Sequence, residues 1–144
     1  MSMMEETLVL LKPDAVARGL CGHIIARFEQ RGLTIIGLKM LRLSKEQAEK
    51  HYEEHHGKPF FSELINFITS GQLIAMVVCG ENAVKVVRSM MGPTNPLEAA
   101  PGTIRGDFAL TTGNNIVHGS DSLVSATKEI KIFFTENELF RVCP

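Results

Sequence analysis

Thr7-Leu8-Val9-Leu10-Leu11-Lys12-Pro13-Asp14 is the stretch on which the architecture turns. Its aliphatic run is short and is stopped by Pro13-Asp14, so it reads as a buried strand. Downstream, Gly22 to Arg31 carries Ile24, Ile25 and Phe28 at helical spacing and ends at Gly32, a natural C-cap. Thr34 to Leu43 alternates imperfectly and predicts a second strand. Ser44 and Gln47 have the capping-box spacing, so a polar helix is expected to about His56, where Gly57-Lys58-Pro59 breaks it. Phe60 to Ser70 predicts a short amphipathic helix, Leu73 to Cys79 a third strand, and Ala83 to Met91 a helix closed by Gly92. Between Gly92 and Gly119 the pattern collapses among five glycines and three prolines, with at most a short strand or helical turn at Asp107 to Leu110. Ser122 to Thr127 reads as a helical turn, and Glu129 to Phe134 alternates as a last strand. The resulting βαββαβ order predicts an α+β fold, the ferredoxin-like split sheet: four antiparallel strands with helices packed on one face.

A chain of 144 residues, 44% hydrophobic and 22% charged, predicts a single domain over residues 1–144. With a net charge of −1 and no basic stripe, nucleic acid and anionic membranes are not expected as main partners. The longest apolar run, Leu73 to Cys79, is too short to span a bilayer. The acidic start, through Glu5 and Glu6, is unlike a signal or transit peptide, so a cytoplasmic location is expected. Cys21, Cys79 and Cys143 are an odd number lying 58 and 64 residues apart, which predicts reduced thiols rather than a disulfide framework or a zinc knuckle.

Irregular loops as long as Gly92 to Gly119 are uncommon and usually functional. Between Ser89 and Thr127, Arg105 is the only lysine or arginine. Reactive side chains are densest at Asn115-Ile116-Val117-His118-Gly119-Ser120-Asp121-Ser122. Neutral imidazole is a competent nucleophile near pH 7, and Glu129 lies close enough in sequence to orient it. A loop histidine with Ser-Asp-Ser capping a helix is the plainer account of the same residues. His51 and His55, four apart on one helix face, have metal-pair spacing but not the His-Glu-x-x-His pattern, and a solvated face explains them better. Lys12 ends a strand, where a salt bridge to Asp14 is an ordinary role. No P-loop, dinucleotide-binding glycine motif, protein-kinase signature or hydrolase elbow is present.

Taken together, these segments resemble nucleoside diphosphate kinase from about Glu6 to Phe134. The resemblance rests on Asn115-x-x-His118-Gly119-Ser120-Asp121-Ser122, with Leu11-Lys12-Pro13-Asp14, Arg31-Gly32, Tyr52, Lys58-Pro59-Phe60-Phe61, Gly92-Pro93-Thr94-Asn95-Pro96 and Pro101 to Asp107 in support. It implies a ping-pong enzyme in which a nucleoside triphosphate, mainly ATP, phosphorylates His118 and a second nucleoside diphosphate collects the group. In that scheme Lys12 contacts phosphate and ribose, Tyr52 the γ-phosphate, and Arg88, Thr94 and Arg105 clamp the phosphates. Asn115 binds the ribose hydroxyl, Phe60 stacks on the base, and Ser120 with Glu129 supports the histidine. Thr112 stands where many relatives place an aliphatic residue against the base. Mg²⁺ is expected to arrive on the nucleotide, reached through water by Asp121, with no direct protein ligand. The loop from Gly92 to Asp107 is similar to that of hexameric relatives and the short C-terminus to that of tetrameric ones. A homo-hexamer is the expectation and a tetramer the alternative. The alternatives on this fold are a binding or regulatory scaffold with little turnover, against which the complete set of site residues argues, and phosphohistidine relay to a protein acceptor through the same His118.

Overall fold

A computed structural model describes residues 4–143. In chain order the elements are β1 (Met4–Leu11), α1 (Pro13–Ala17), α2 (Cys21–Arg31), β2 (Thr34–Leu41), α3 (Lys45–His51), α4 (Phe61–Ile68), β3 (Leu73–Glu81), α5 (Ala83–Met91), α6 (Ile104–Phe108), β4 (Val117–Gly119) and α7 (Leu123–Phe133). Single 3-10 turns follow at Glu53–His55, Pro96–Glu98 and Glu136–Glu138. The sheet runs β2-β3-β1-β4 and every pair is antiparallel. This is the ferredoxin-like α+β arrangement that the element order predicts.

Local signals placed most of these elements. Gly32 ends α2 in a left-handed conformation, φ 106°, as its C-cap position requires. Ser44 and Gln47 form the reciprocal capping box at the start of α3. That helix is shorter than expected, closing at His51 before the 3-10 turn.

Two expectations fail. Helices cover both faces of the sheet, not one. Leu8 and Leu10 of β1 pack with Ile65, Ile68, Ile130 and Phe133, whereas Val9 and Leu11 face Ile24, Phe28, Val87 and Met91. Alternation along a central strand sends successive side chains to opposite faces, so a wholly apolar run needs two cores. The second failure is the last strand. Residues 129–134 belong to α7, where Ala126, Ile130 and Phe133 are buried at helical spacing and Ser122 caps the N-terminus by accepting from the Ser125 amide. Six residues are too few to separate the two periods, and the Ser122 cap decides the matter. The true fourth strand is the three-residue β4, too short to leave a pattern, and the short strand or helical turn expected at Asp107 to Leu110 is instead the helix α6, which begins three residues earlier and ends at Phe108.

The cysteines also differ from expectation. Cys79, 1% exposed near the end of β3, is disulfide-bonded to the half-buried Cys143, and Cys21 is free. Chain separation hides this pair because the C-terminal segment returns to the sheet, where the Phe140 amide donates to the Ile36 carbonyl at 2.8 Å. No helix among the described residues is long and apolar enough to cross a membrane.

A cross-link spanning 64 residues removes up to about 4 kcal/mol of loop-closure entropy from the unfolded chain. The urea midpoint of the oxidised protein is therefore expected to fall on adding dithiothreitol, and that of Cys143→Ser to be indifferent to it. Equal wild-type midpoints with and without reductant would remove the bond from the stability of the fold.

Candidate active site

His118 sits at the middle of β4, opposite Leu10 of the central strand. Its Nε2 lies 2.8 Å from Oε1 of Glu129, and the Ser120 hydroxyl donates to that same oxygen at 2.8 Å. A carboxylate oxygen accepts, so Nε2 carries the ring proton and Nδ1 keeps the free lone pair. Glu129 reaches this position because α7 packs across the sheet, bringing it beneath a residue 11 positions earlier. Ser120 is fully buried. Gly119 is buried as well, and a Cβ there would lie 2.6 Å from Met91 Sδ. The glycine after the histidine thus allows the close packing of α5 on β4.

Just upstream, Ile116 has φ 74°, a conformation that a β-branched residue adopts only when its surroundings impose it. Here they do. The Ile116 amide donates to Asp14 Oδ2 at 3.0 Å, and its carbonyl accepts from the Lys12 amide at 2.8 Å. Arg105, only 4% exposed, donates from Nε to the Asn115 carbonyl at 3.3 Å and from Nη2 to the Val117 carbonyl at 2.7 Å. Its Nη1 donates to the Gly92 carbonyl at 3.0 Å. The Lys12 ammonium donates to Asn115 Oδ1 at 2.7 Å, and the Asn115 amide group donates to the Thr94 carbonyl at 3.2 Å. Arg88 donates to the Gly119 carbonyl at 3.2 Å.

Charge is unbalanced here. Among the described residues, Lys12, Arg88 and Arg105 form no salt bridge, so the expected Lys12–Asp14 pair is replaced by the bond to Asn115. Burial, reinforced by Arg105, lowers the Lys12 pKa to about 8 despite the opposing pull of Asp14. Burial, with Arg88 nearby, lowers that of Arg105 to about 10. Tyr52 is pushed up to about 12 by burial and then by Glu129, which keeps its phenol a neutral donor. Asp121, exposed at the head of α7, is held below the usual carboxylate range chiefly by hydrogen bonding from Ser125, with Arg88 assisting. A basic, partly desolvated pocket edge beside an imidazole lone pair suits a polyanion with a reactive phosphorus or carbonyl centre.

A row of rings leads away from His118. His51 lies edge-on to it at 4.7 Å between centroids, Tyr52 is 4.7 Å from His51, His55 is 6.2 Å from Tyr52, and Phe60 is 5.4 Å from His55. Phe60 ends the row 44% exposed, free to stack on a flat ligand. Thr94 is exposed, and Thr112, exposed too, is tied to Asn95 across 3.5 Å.

Three participants fall outside the expected set: His51, Asp14 and Ile116. His51 is not on a solvated face: both its ring nitrogens are closed off from solvent without a hydrogen-bond partner, and burial, then His118, holds its pKa well below the ordinary value. Its helix buries only Ala48, so no apolar stripe marked which side turns inward. Asp14 and Ile116 act through backbone geometry, which side-chain pattern does not report.

A hard cation such as Mg²⁺ takes oxygen ligands and keeps several waters. Asp121 offers one ionised carboxylate, and the cluster of three metal-competent groups among the described residues, His51, His118 and Glu129, is two-thirds nitrogen. These donors fit Mg²⁺ carried by a phosphate ligand better than Mg²⁺ caged by protein.

The nucleoside diphosphate kinase family model matches residues 5–139. The chain is 63% identical to nucleoside diphosphate kinase of Methanocaldococcus jannaschii over 138 residues, covering 96% of this chain and 99% of that one. It is 58% identical to the Archaeoglobus fulgidus protein of the same name, covering 94% and 90%. Among solved structures, a halophilic nucleoside diphosphate kinase from Halobacterium salinarum in complex with CDP superposes with a TM-score of 0.96 at 46% identity, covering 99% of this chain and 95% of that chain. The Aquifex aeolicus enzyme superposes at 0.93 with 44% identity, covering 95% and 99%.

The folded chain holds the Lys12 proton less tightly than the unfolded chain does, so keeping Lys12 charged at pH 7 costs stability. That cost disappears as pH rises from about 8 towards the ordinary lysine value of 10.5. Lys12→Met is expected to gain up to about 3 kcal/mol over wild type at pH 7, less whatever the lost bond to Asn115 contributes. The gain should shrink by pH 10. Chemical denaturation at the two pH values checks this, and a difference that grows with pH would contradict it.

Proposed function

The chain belongs to the nucleoside diphosphate kinase family and is a phosphotransferase. From that premise we propose that it moves the γ-phosphoryl group of a nucleoside triphosphate, mainly ATP, to another nucleoside diphosphate through a phosphohistidine at His118. One observation carries the reading: Glu129 binds the Nε2 side of the ring and leaves the Nδ1 lone pair free, while Lys12, Arg88 and Arg105, bonded to Asn115 and to carbonyls flanking His118, form no salt bridge among the described residues.

In the first half-reaction Nδ1 attacks the γ-phosphorus in line. The bond to the bridging oxygen breaks, and its electron pair leaves on the β-phosphate of the departing diphosphate. In the second, a terminal oxygen of the incoming diphosphate attacks the same phosphorus, and the N–P bond breaks back to Nδ1. Phosphoryl transfer needs positioning and spread charge more than covalent help. Arg88, Arg105 and Lys12 supply positive charge, and the neutral Tyr52 phenol supplies a donor to the moving group. Arg105 already spends three N–H groups on carbonyls, which leaves two of its five for phosphate oxygen. Lys12 and Asn115, bonded to each other, would share the ribose hydroxyl, and Thr94 would contact phosphate. Glu129 and Ser120 hold the ring and balance the positive charge it gains on phosphorylation. Mg²⁺ brought by the nucleotide, with Asp121 reached through water, would neutralise phosphate charge. Phe60 stacks on the base with Thr112 nearby, reading no base edge, so all common bases are accepted. The Halobacterium salinarum neighbour, solved with CDP, supports pyrimidine diphosphates as ligands.

The cytoplasm is the proposed location, and the proposed assembly is a homo-hexamer. Leu38 and Met40, 52% and 58% exposed on the edge strand β2, support association. Light scattering is expected to give six chains, and four would replace the hexamer with a tetramer.

Incubation with γ-labelled ATP and Mg²⁺ without acceptor is expected to leave an acid-labile, base-stable label. It should be absent in His118→Ala and should move to GDP, CDP, UDP or TDP on a chase. Arg88→Ala should lower turnover by about 10²–10³-fold, the usual loss for one transition-state donor. A folded protein that takes no label would leave the binding scaffold as the better reading. A label that moves only to another protein would favour the relay.

A further inference from the structure

His51, His118 and Glu129 each present a ligand atom within 4.8 Å of the others. Two imidazoles and one carboxylate make an ordinary ligand set for a borderline cation of the zinc class, and a poor one for Mg²⁺. The cluster has a second, independent mark. Both ring nitrogens of His51 are sealed from solvent and find no hydrogen-bond partner among the described residues, although buried polar groups normally find one. A donor left waiting beside two other ligands is a site in want of an occupant. There is also a way in. A cavity of about 40 Å³ adjoins His51 and Glu129 and is lined by Glu53, Glu54 and Asp121, with Lys50 and Lys128 opposing them. Lys128 is itself paired with Glu53.

We propose that His51, His118 and Glu129 form an inhibitory site for a zinc-class divalent cation, distinct from any Mg²⁺ carried by nucleotide. Its effect follows from proton bookkeeping on one ring, and it rests on His118 being the phosphoryl acceptor. Nε2 is the His118 nitrogen beside Glu129. For the cation to take its lone pair, the ring proton must leave Nε2. The neutral ring keeps that proton by holding it on Nδ1, exchanged through solvent, and no net charge is lost. Nδ1 then has no lone pair with which to attack phosphorus. The cation thus switches the tautomer that Glu129 otherwise enforces, with nothing placed in the nucleotide's path. Bound Zn²⁺ would sit about 2.0–2.2 Å from each nitrogen and oxygen, which requires Glu129 Oε1 to draw back from its 2.8 Å contact with Nε2.

Zn²⁺ alone, titrated calorimetrically into nucleotide-free protein, is expected to bind once per chain. Affinity should fall at least about tenfold in His51→Gln and again in Glu129→Gln, a loss that even outer-shell partners of a metal produce. Co²⁺ in place of Zn²⁺ should give visible absorption bands that both variants lose. In the labelling reaction with excess Mg²⁺, Zn²⁺ above the chain concentration should suppress label on His118 by at least about tenfold, and chelation should restore it. Unchanged Zn²⁺ affinity in both folded variants, or label that forms equally with Zn²⁺ bound, would overturn the proposal. Absence of label even under chelation would instead overturn the phosphohistidine reading, and the binding titration tells the two failures apart.

Discussion

A buried guanidinium that has no carboxylate must be satisfied by carbonyls, and Arg105 organises the site through that requirement. Leaving a buried charge-bearing donor unpaired costs several kcal/mol. Three of its N–H groups find the carbonyls of Gly92, Asn115 and Val117. Those acceptors belong to the end of α5, the approach to β4 and β4 itself. One side chain therefore stitches the long irregular loop to the strand that carries His118. The strained φ of Ile116 persists because this clamp works with Asp14 and Lys12 from the opposite side.

The same arrangement creates the electrostatic character of the site. Carbonyl oxygens satisfy hydrogen-bonding geometry but bring no formal negative charge. Burial and then repulsion by Arg105 therefore depress the Lys12 pKa, with no formal negative charge at those carbonyls to offset them. Like charges kept together in a partly dry pocket cost stability, because low dielectric strengthens their repulsion. Lys12 carries that cost, and the fold tolerates it because two hydrophobic clusters, one on each face of the sheet, flank the strand β1 that ends just before it.

The histidine is governed from the other face. His118 Nε2 and the Ser120 hydroxyl share a single Glu129 oxygen, and that acceptor decides the ring's tautomer. His51 covers its edge without bonding to anything. Such a ring is a two-position element, since the proton has two nitrogens to choose from and only one choice leaves Nδ1 nucleophilic.

Strands β1, β2 and β3, helices α2, α3, α4 and α5, and the density of chemistry at Asn115 to Ser122 were legible in the sequence by itself. Each rests on neighbours within a few positions: a capping box, a left-handed glycine, an apolar period. The family motif placed Lys12, Arg88, Arg105 and Glu129 in one list without saying how they meet. Only the tertiary structure decided that α7 is a helix bearing Glu129, that β4 is a strand, that both sheet faces are covered, that Cys79 meets Cys143, and that His51 turns inward. Those outcomes depend on pairs far apart along the chain, as Lys12 and Asn115 are at 103 positions. Such pairs are chosen by which burial and hydrogen-bond solution the whole chain can satisfy at once, and no local window contains that condition.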